Sequence, residues 1–119
     1  MYSQFWDKPT AAWVTDGGIT PLSSGVTFGF GGLGTPPPST QVAIAQSAAC
    51  TDNAGALIGN TSCIVFNSRG IPINNAGVPI GSNAIYITNG VGVFVTTLTA
   101  TPLVRLWWSP ANTPAWVRQ

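Results

Sequence analysis

Proline or glycine interrupts this chain roughly every 8 to 12 residues, and no stretch between interruptions carries a sustained 3.6-residue apolar period. That punctuation leaves room for short strands and turns, not for a helix of ordinary length. The predicted fold class is therefore mostly β: antiparallel sheet with hairpins and long loops. A chain of 119 residues supports one such domain with its own core, but not two.

Read in order, the first 25 residues hold Trp6, Pro9 and Trp13 among polar neighbours and read as irregular. "GVTFGF" (25–30) reads as a strand, "GGLGTPPPST" (31–40) as a loop, and "QVAIAQSAA" (41–49) alternates as a strand does. The clearest β signal runs from 63 to 108. "CIVF" is a strand and Asn67-Ser68-Arg69-Gly70 a turn; "IPI" follows, "NNAG" (74–77) turns the chain again, and "VPI" continues it. "NAIYIT" (83–88) and "VGVFVTTLT" (91–99) flank Asn89-Gly90, the strongest short-range hairpin signal. A two-residue turn there pairs Thr88 with Val91, Tyr86 with Val93 and Ile85 with Phe94. Ile85, Ile87, Phe94 and Leu98 then share one face, the expected core face; Tyr86, Val93, Val95 and Thr97 share the other. "PLVRLWW" (102–108) is a further strand, whose alternation sends Trp107 and Trp108 to opposite faces.

The chemistry is sparse. Only 6% of the residues are charged, His and Glu are absent, and Asp7, Asp16 and Asp52 lie in separate loops. General acid–base catalysis at neutral pH uses His or a retuned carboxylate, so the sequence offers no catalytic constellation and reads as a non-enzyme. "GFGGLG" (29–34) matches G-x-G-x-x-G, but Thr35-Pro36-Pro37-Pro38 follows where that fingerprint requires a helix. Asp52, Asn53 and Asn60 supply too few carboxylates for a calcium loop. No cofactor or metal is expected. A net charge of +1 gives no electrostatic footprint for nucleic acid or an anionic membrane.

Cys50 and Cys63 are the only cysteines, with twelve residues between them. An even count in a charge-poor β sequence favours one disulfide and an oxidising compartment. The surface left to such a chain is Thr, Ser, Asn, Gly and apolar atoms, more typical of secreted proteins and packed subunits than of cytosolic ones. No run of about 20 apolar residues is present, and "MYSQFWDK" has neither the basic nor the apolar region of a signal peptide. Arg105, Trp107, Trp108, Trp116 and Arg118 cluster towards the C-terminus as candidates for a ligand or subunit contact, set against simple packing of the tryptophans on one another. Arg69 has no acid or His near it in sequence, so contact with a carbonyl or Asp of its own fold or a neighbouring subunit is expected.

"CIVFNSRGIPINNAGVPI" and "AIYITNGVGVFVTTLTATPLVRLW" together resemble the globular domain of the GspH/FimT family, the minor pseudopilins and minor pilins of type II secretion and type IV pilus systems. The likeness covers residues 63 to 108 and rests on the F-N-S-R-G-x-P turn, the I-Y-I-T-N-G hairpin and the strand ending in R-L-W. Pro102-Leu103 stands where the family carries Gly-Arg. The resemblance implies a pilin-like head domain that assembles with other pilin or pseudopilin subunits at an extracellular filament surface or in the periplasm. It also implies an apolar N-terminal helix, which residues 1–119 do not contain. That helix is expected either as a truncated segment of the same polypeptide or as a separate chain of a split pilin, and Met1 is native only in the second case. The role expected from the resemblance is structural; the alternative is a minor pilin that captures DNA or glycan through its C-terminal Arg and Trp residues.

Overall fold

The computed structural model describes residues 2–18, 20–101 and 103–119; Met1 and Pro102, which bear on a native start and on the first residue of the last expected strand, lie outside them. The described residues form no helix and nine strands: β1 (Ser3–Asp7), β2 (Ala12–Asp16), β3 (Thr27–Phe28), β4 (Val65–Phe66), β5 (Pro72–Ile73), β6 (Ser82–Thr88), β7 (Gly92–Thr99), β8 (Val104–Pro110) and β9 (Val117–Arg118). A five-stranded sheet of order β3-β6-β7-β8-β9 is the body of the molecule, flanked by two-stranded ladders β1-β2 and β4-β5, and all pairings are antiparallel. The mostly-β, hairpin-rich class expected from the punctuation is what forms.

The N-terminal segment differs from expectation. Instead of being irregular, Ser3–Asp7 and Ala12–Asp16 close a hairpin through Lys8-Pro9-Thr10-Ala11. Pro9 pre-sets φ inside the turn, Thr10 donates to the Asp7 carboxylate, and Ala11 takes a positive φ of 50°. The Trp6 and Trp13 rings meet edge to face, with centroids 5.3 Å apart. No alternation shows in the sequence because Phe5 and Val14 pair on one face while Trp6 and Trp13 pair on the other. The strands expected over 25–30 and 41–49 shrink to β3 and to a single backbone hydrogen bond onto the main sheet, from the Ser47 amide to the Ala84 carbonyl (2.8 Å).

The Asn89-Gly90 hairpin also closes differently. Thr88 pairs with Val93, Tyr86 with Val95 and Ile85 with Thr96, so four residues (89–92) rather than two lie between the last paired positions. A type I′ turn needs positive φ at both central residues, and within 89–92 only Gly90 has it (87°). Asn89 instead folds its side chain forward, its Oδ1 accepting from the amides of Val91 (3.0 Å) and Gly92 (2.9 Å). The register is displaced by two residues. Because side chains alternate with a period of two, each strand keeps the faces expected for it.

Which face is buried is the larger correction. The core comprises Ala84 and Tyr86 on β6, Val93 and Val95 on β7 and Trp107 on β8, together with Leu33 and Ala111. Of the residues expected there, only Leu98 is buried; Ile85 and Ile87 are half-buried and Phe94 is 43% exposed. Both faces of the hairpin are apolar, so composition did not decide between them. The 29–47 segment does, because it lies over the Tyr86 side. Phe30 packs edge to face on the Tyr86 ring at 5.4 Å, and Leu33 fills the core beside it. The Tyr86 hydroxyl donates to Gln41 Oε1 (2.7 Å). Gln46 imitates a neighbouring strand: its Oε1 accepts from the Tyr86 amide (3.0 Å) and its Nε2 donates to the Tyr86 carbonyl (3.3 Å). The outer edge of β6 is thus closed partly by β3 and partly by Gln46 and Ser47. From the other terminus Trp116 packs on Tyr86 and donates its indole N–H to the Thr35 carbonyl (2.8 Å).

Candidate functional site

The face opposite Tyr86 carries no such cover over its middle, although Asn83 and Leu98 at one end of it are buried. Directly opposed residues on antiparallel strands share a face, and the register links Phe28 to Ile87, Ile87 to Phe94, Phe94 to Trp108 and Trp108 to Val117. One unbroken apolar row therefore crosses all five strands of the sheet. Ile85, Thr96 and Leu106 form the next row. Phe28 is 41% exposed, Phe94 43% and Leu106 52%. Trp108 is half-buried because its indole lies against Gly92, where an added Cβ would fall 2.5 Å from Nε1. The N-terminal segment reaches only the margin of this face, where Tyr2, Leu22, Val26 and Ile87 border an apolar groove of about 550 Å³.

The C-terminal candidates separate into two groups. Trp107 is buried and donates its indole N–H to Thr97 Oγ1 (3.1 Å), and Trp116 is committed to Tyr86 and Thr35. These two pack on the domain's own interior, whereas Trp108 faces the open side. Arg105 and Arg118 are exposed, and their guanidinium groups make no hydrogen bond or ion pair among the described residues. They come together in space: Arg118 opposes Trp107, two residues from Arg105 on β8 and on the same side of it.

Arg69 stands on an exposed turn, and its side chain bonds to nothing among the described residues, so the expected contact within its own fold is not made. Asn67 builds the turn. Its Oδ1 accepts from the amides of Arg69 (2.9 Å) and Ile71 (3.0 Å), its amide donates to the Ile71 carbonyl (2.9 Å), and Gly70 follows with φ 76°. Asn74 repeats the pattern with Ala76 and Val78, and Gly77 takes φ 78°. Asp52 does the same with Ala54 and Ala56, and Gly55 takes φ 84°. Asp52 is thus an ordinary turn residue. Sequence reasoning missed this repetition, although "NSRGIPI" (67–73) and "NNAGVPI" (74–80) are visibly two copies of one seven-residue unit.

The two cysteines form the Cys50–Cys63 disulfide, with Cα atoms 5.0 Å apart. Around it, the Cys63 amide donates to the Ala48 carbonyl (2.9 Å) and the Ile58 amide to the Cys50 carbonyl (2.7 Å). Such a bond persists in oxidising, extracellular or periplasmic surroundings. The "GFGGLG" stretch is a loop that delivers Phe30 and Leu33 to the core, and no helix follows it. No group of three metal-ligating side chains occurs among the described residues. Burial of Tyr86 pushes its hydroxyl up to about 12.

Compared with protein-family models, with curated proteins and with solved structures, the chain matches none. The surface itself therefore has to carry the functional argument. Its features are an uncovered apolar sheet face, two neighbouring free arginines, and turns stiffened by Asx side chains.

Proposed function

We propose that this chain is a structural subunit: the globular domain of a pilin-like protein that assembles around an apolar helix in a filament or pseudopilus. The observation that carries this reading is the apolar row from Phe28 to Val117, open across the width of the sheet. A domain of this size rarely leaves a continuous apolar face to water unless something docks there. An apolar helix laid across a sheet covers such a face, and the helix and sheet then share one core. The scarcity of charge is consistent with a surface largely covered by neighbouring subunits, and the likeness of residues 63–108 to the GspH/FimT head domain supports the same role. Association, not turnover, is the activity.

The test uses the full chain and a synthetic apolar helical peptide of about 20 residues, the length that matches a pilin-type helix. Binding is expected to shift the tryptophan emission of the wild type to the blue, because Trp108 leaves water, and to leave a Trp108→Phe variant far less responsive. Phe94→Glu is expected to fold normally, since its side chain replaces one already 43% exposed, and to abolish binding. No emission change in the wild type, or equal binding by Phe94→Glu, overturns the reading.

A second reading, polyanion capture, draws on the adjacent free guanidinium groups of Arg105 and Arg118. DNA or an acidic glycan held this way would bind with a salt-dependent affinity, and Arg105→Ala with Arg118→Ala would remove that dependence.

A further inference from the structure

The β1–β2 hairpin stands apart from the main sheet, and each of its strands pairs only with the other. An isolated two-stranded hairpin is marginal in water, and further strands along its edge are what ordinarily steady one. Phe5 and Val14 share one face and are 52% and 37% exposed; Trp6, on the other, is 41% exposed. The two edges of the hairpin differ. On β2 the Trp13 amide donates outward to Asn53 Oδ1 (2.9 Å), so that edge is partly answered by the loop that Asn53 belongs to. The same bond fixes the pattern of the ladder. With the Trp13 amide turned away from β1, Trp6–Trp13 is a non-hydrogen-bonded pair and Phe5–Val14 a hydrogen-bonded one. The amides and carbonyls of Gln4 and Trp6 therefore point outward from β1, where nothing among the described residues meets them.

Native sheets blunt such an edge by keeping it short, charging it or bulging it. The outer strands of the main sheet follow that rule: β3 and β9 are two residues long, and β9 carries Arg118. β1 does not. It runs five residues in unbroken register with β2, has no Pro or Lys, and is exposed from Ser3 to Trp6. Its sequence also matches itself. Laid antiparallel on a second β1 with Phe5 on the twofold axis, Gln4 meets the partner's Trp6 and Trp6 meets the partner's Gln4. Each outward amide then finds an outward carbonyl. Phe5 falls opposite the partner's Phe5 in a non-hydrogen-bonded pair, the closer kind, where two aromatic rings pack. Asp7 falls opposite the partner's Ser3, so no like charges meet across the pairing.

We propose that β1 is a self-recognition edge through which two copies of the chain join, their hairpins forming one sheet of order β2-β1-β1-β2. The contact is isologous and closes on two copies. Asn53, bonded to the outer edge of each β2, hinders growth of the sheet beyond them. The open apolar row lies on the five-stranded sheet and takes no part in this contact, so pairing through β1 holds or fails independently of the assembly reading.

The experiment is sedimentation of the full chain from micromolar to millimolar concentration, with hydrogen exchange of the Gln4 and Trp6 amides followed by NMR over the same range. A monomer–dimer equilibrium is expected, in which those two amides become protected as the dimer forms. Gln4→Pro removes an outward amide that β2 does not use. It is expected to weaken dimerisation at least ten-fold, about 1.4 kcal/mol, with the remaining amide spectrum in place. Phe5→Cys tests the register without relying on that variant. Its thiols face each other across the axis in a non-hydrogen-bonded pair, with Cα atoms about 4.5 Å apart, and are expected to form an intermolecular disulfide. Gln4→Cys, which faces the partner's Trp6, is expected not to. Phe94→Glu, on the open sheet face, is expected to dimerise as the wild type does. A chain that stays monomeric at millimolar concentration overturns the proposal, as does a dimer whose Gln4 and Trp6 amides exchange as in the monomer. Undiminished dimerisation by Gln4→Pro, or crosslinking of Gln4→Cys as ready as that of Phe5→Cys, overturns it as well. A dimer lost in Phe94→Glu also overturns it, since the copies then meet through the apolar face.

Discussion

Tyr86 holds the two halves of the covering layer to the sheet. Its ring receives Phe30 from one side and Trp116 from the other, its hydroxyl is bonded to Gln41, and both of its backbone groups are bonded to Gln46. Ionising it in the folded state would strand a phenolate in this apolar surrounding, so its pKa rises from 10.0 to about 12 through loss of solvent. A group whose folded pKa exceeds its unfolded one contributes stability that is complete below the unfolded value and lost as pH rises through the folded one. Stability is therefore expected to hold up to about pH 10 and to fall by about 2–3 kcal/mol towards pH 12. Tyr86→Phe should be less stable at neutral pH by about 1 kcal/mol for the lost hydroxyl bond, yet lack that alkaline decline. Urea unfolding of both proteins at several pH values checks it, and parallel pH profiles would remove Tyr86 as the cause. In the sequence, Tyr86 is one aromatic in an alternating strand. Nothing near it marks it as central, because its partners Phe30, Gln41, Gln46 and Trp116 all arrive from distant positions.

At the scale of elements, local chemistry was readable wherever a turn satisfies its own backbone. Asn67-Ser68-Arg69-Gly70 and Asn74-Asn75-Ala76-Gly77 turn where the sequence says they should, since an Asx side chain and a glycine at positive φ suffice to close them. Asn67→Ala and Asn74→Ala each remove two side-chain hydrogen bonds from a part-exposed turn, and each is expected to cost about 1 kcal/mol in urea unfolding. Gly70→Ala, forced into a left-handed φ of 76°, is expected to cost about 1–2 kcal/mol. A Gly70→Ala protein as stable as the wild type would show that the turn is free to rearrange. The Asn89 loop shows the limit of such reading. Asn-Gly marked the right place, but the Asn89 side-chain oxygen accepts from the Val91 and Gly92 amides, and four residues rather than two lie between the last paired positions. β1 and β2 escaped notice because an apolar pair on each face cancels the alternation that would have revealed them.

Taken whole, the molecule is a sheet with one face closed by its own loops and the other apolar and open. The closed side depends on long excursions of the chain. The disulfide ties Cys50 to Cys63 at the base of one of them and shortens the freedom of the unfolded chain. Replacing both cysteines by Ala is expected to lower stability by about 3 kcal/mol, the loop-closure entropy of a crosslink of this length. A smaller loss, below about 1 kcal/mol in urea unfolding of the reduced and oxidised chains, would mean that the hydrogen bonds around Ala48 and Ile58 already hold the segment without the bond. Of the candidate site, the arginines and tryptophans were nameable in advance, but their grouping was not. Trp107 and Trp116 went to the interior, Trp108 to the open face, and Arg105 came to lie beside Arg118, brought across by the pairing of β8 with β9.

What the sequence determined alone is the class of fold, the disulfide and the Asx turns, because each rests on interactions between residues close in the chain or on chemistry that two residue types decide. Only the tertiary structure decided which sheet face is buried. Both faces of β6 and β7 are apolar, so burial was settled by a third party: the 29–47 segment carries Gln41 and Gln46, which satisfy the hydroxyl and backbone of Tyr86, and Phe30 and Leu33, which pack beside its ring.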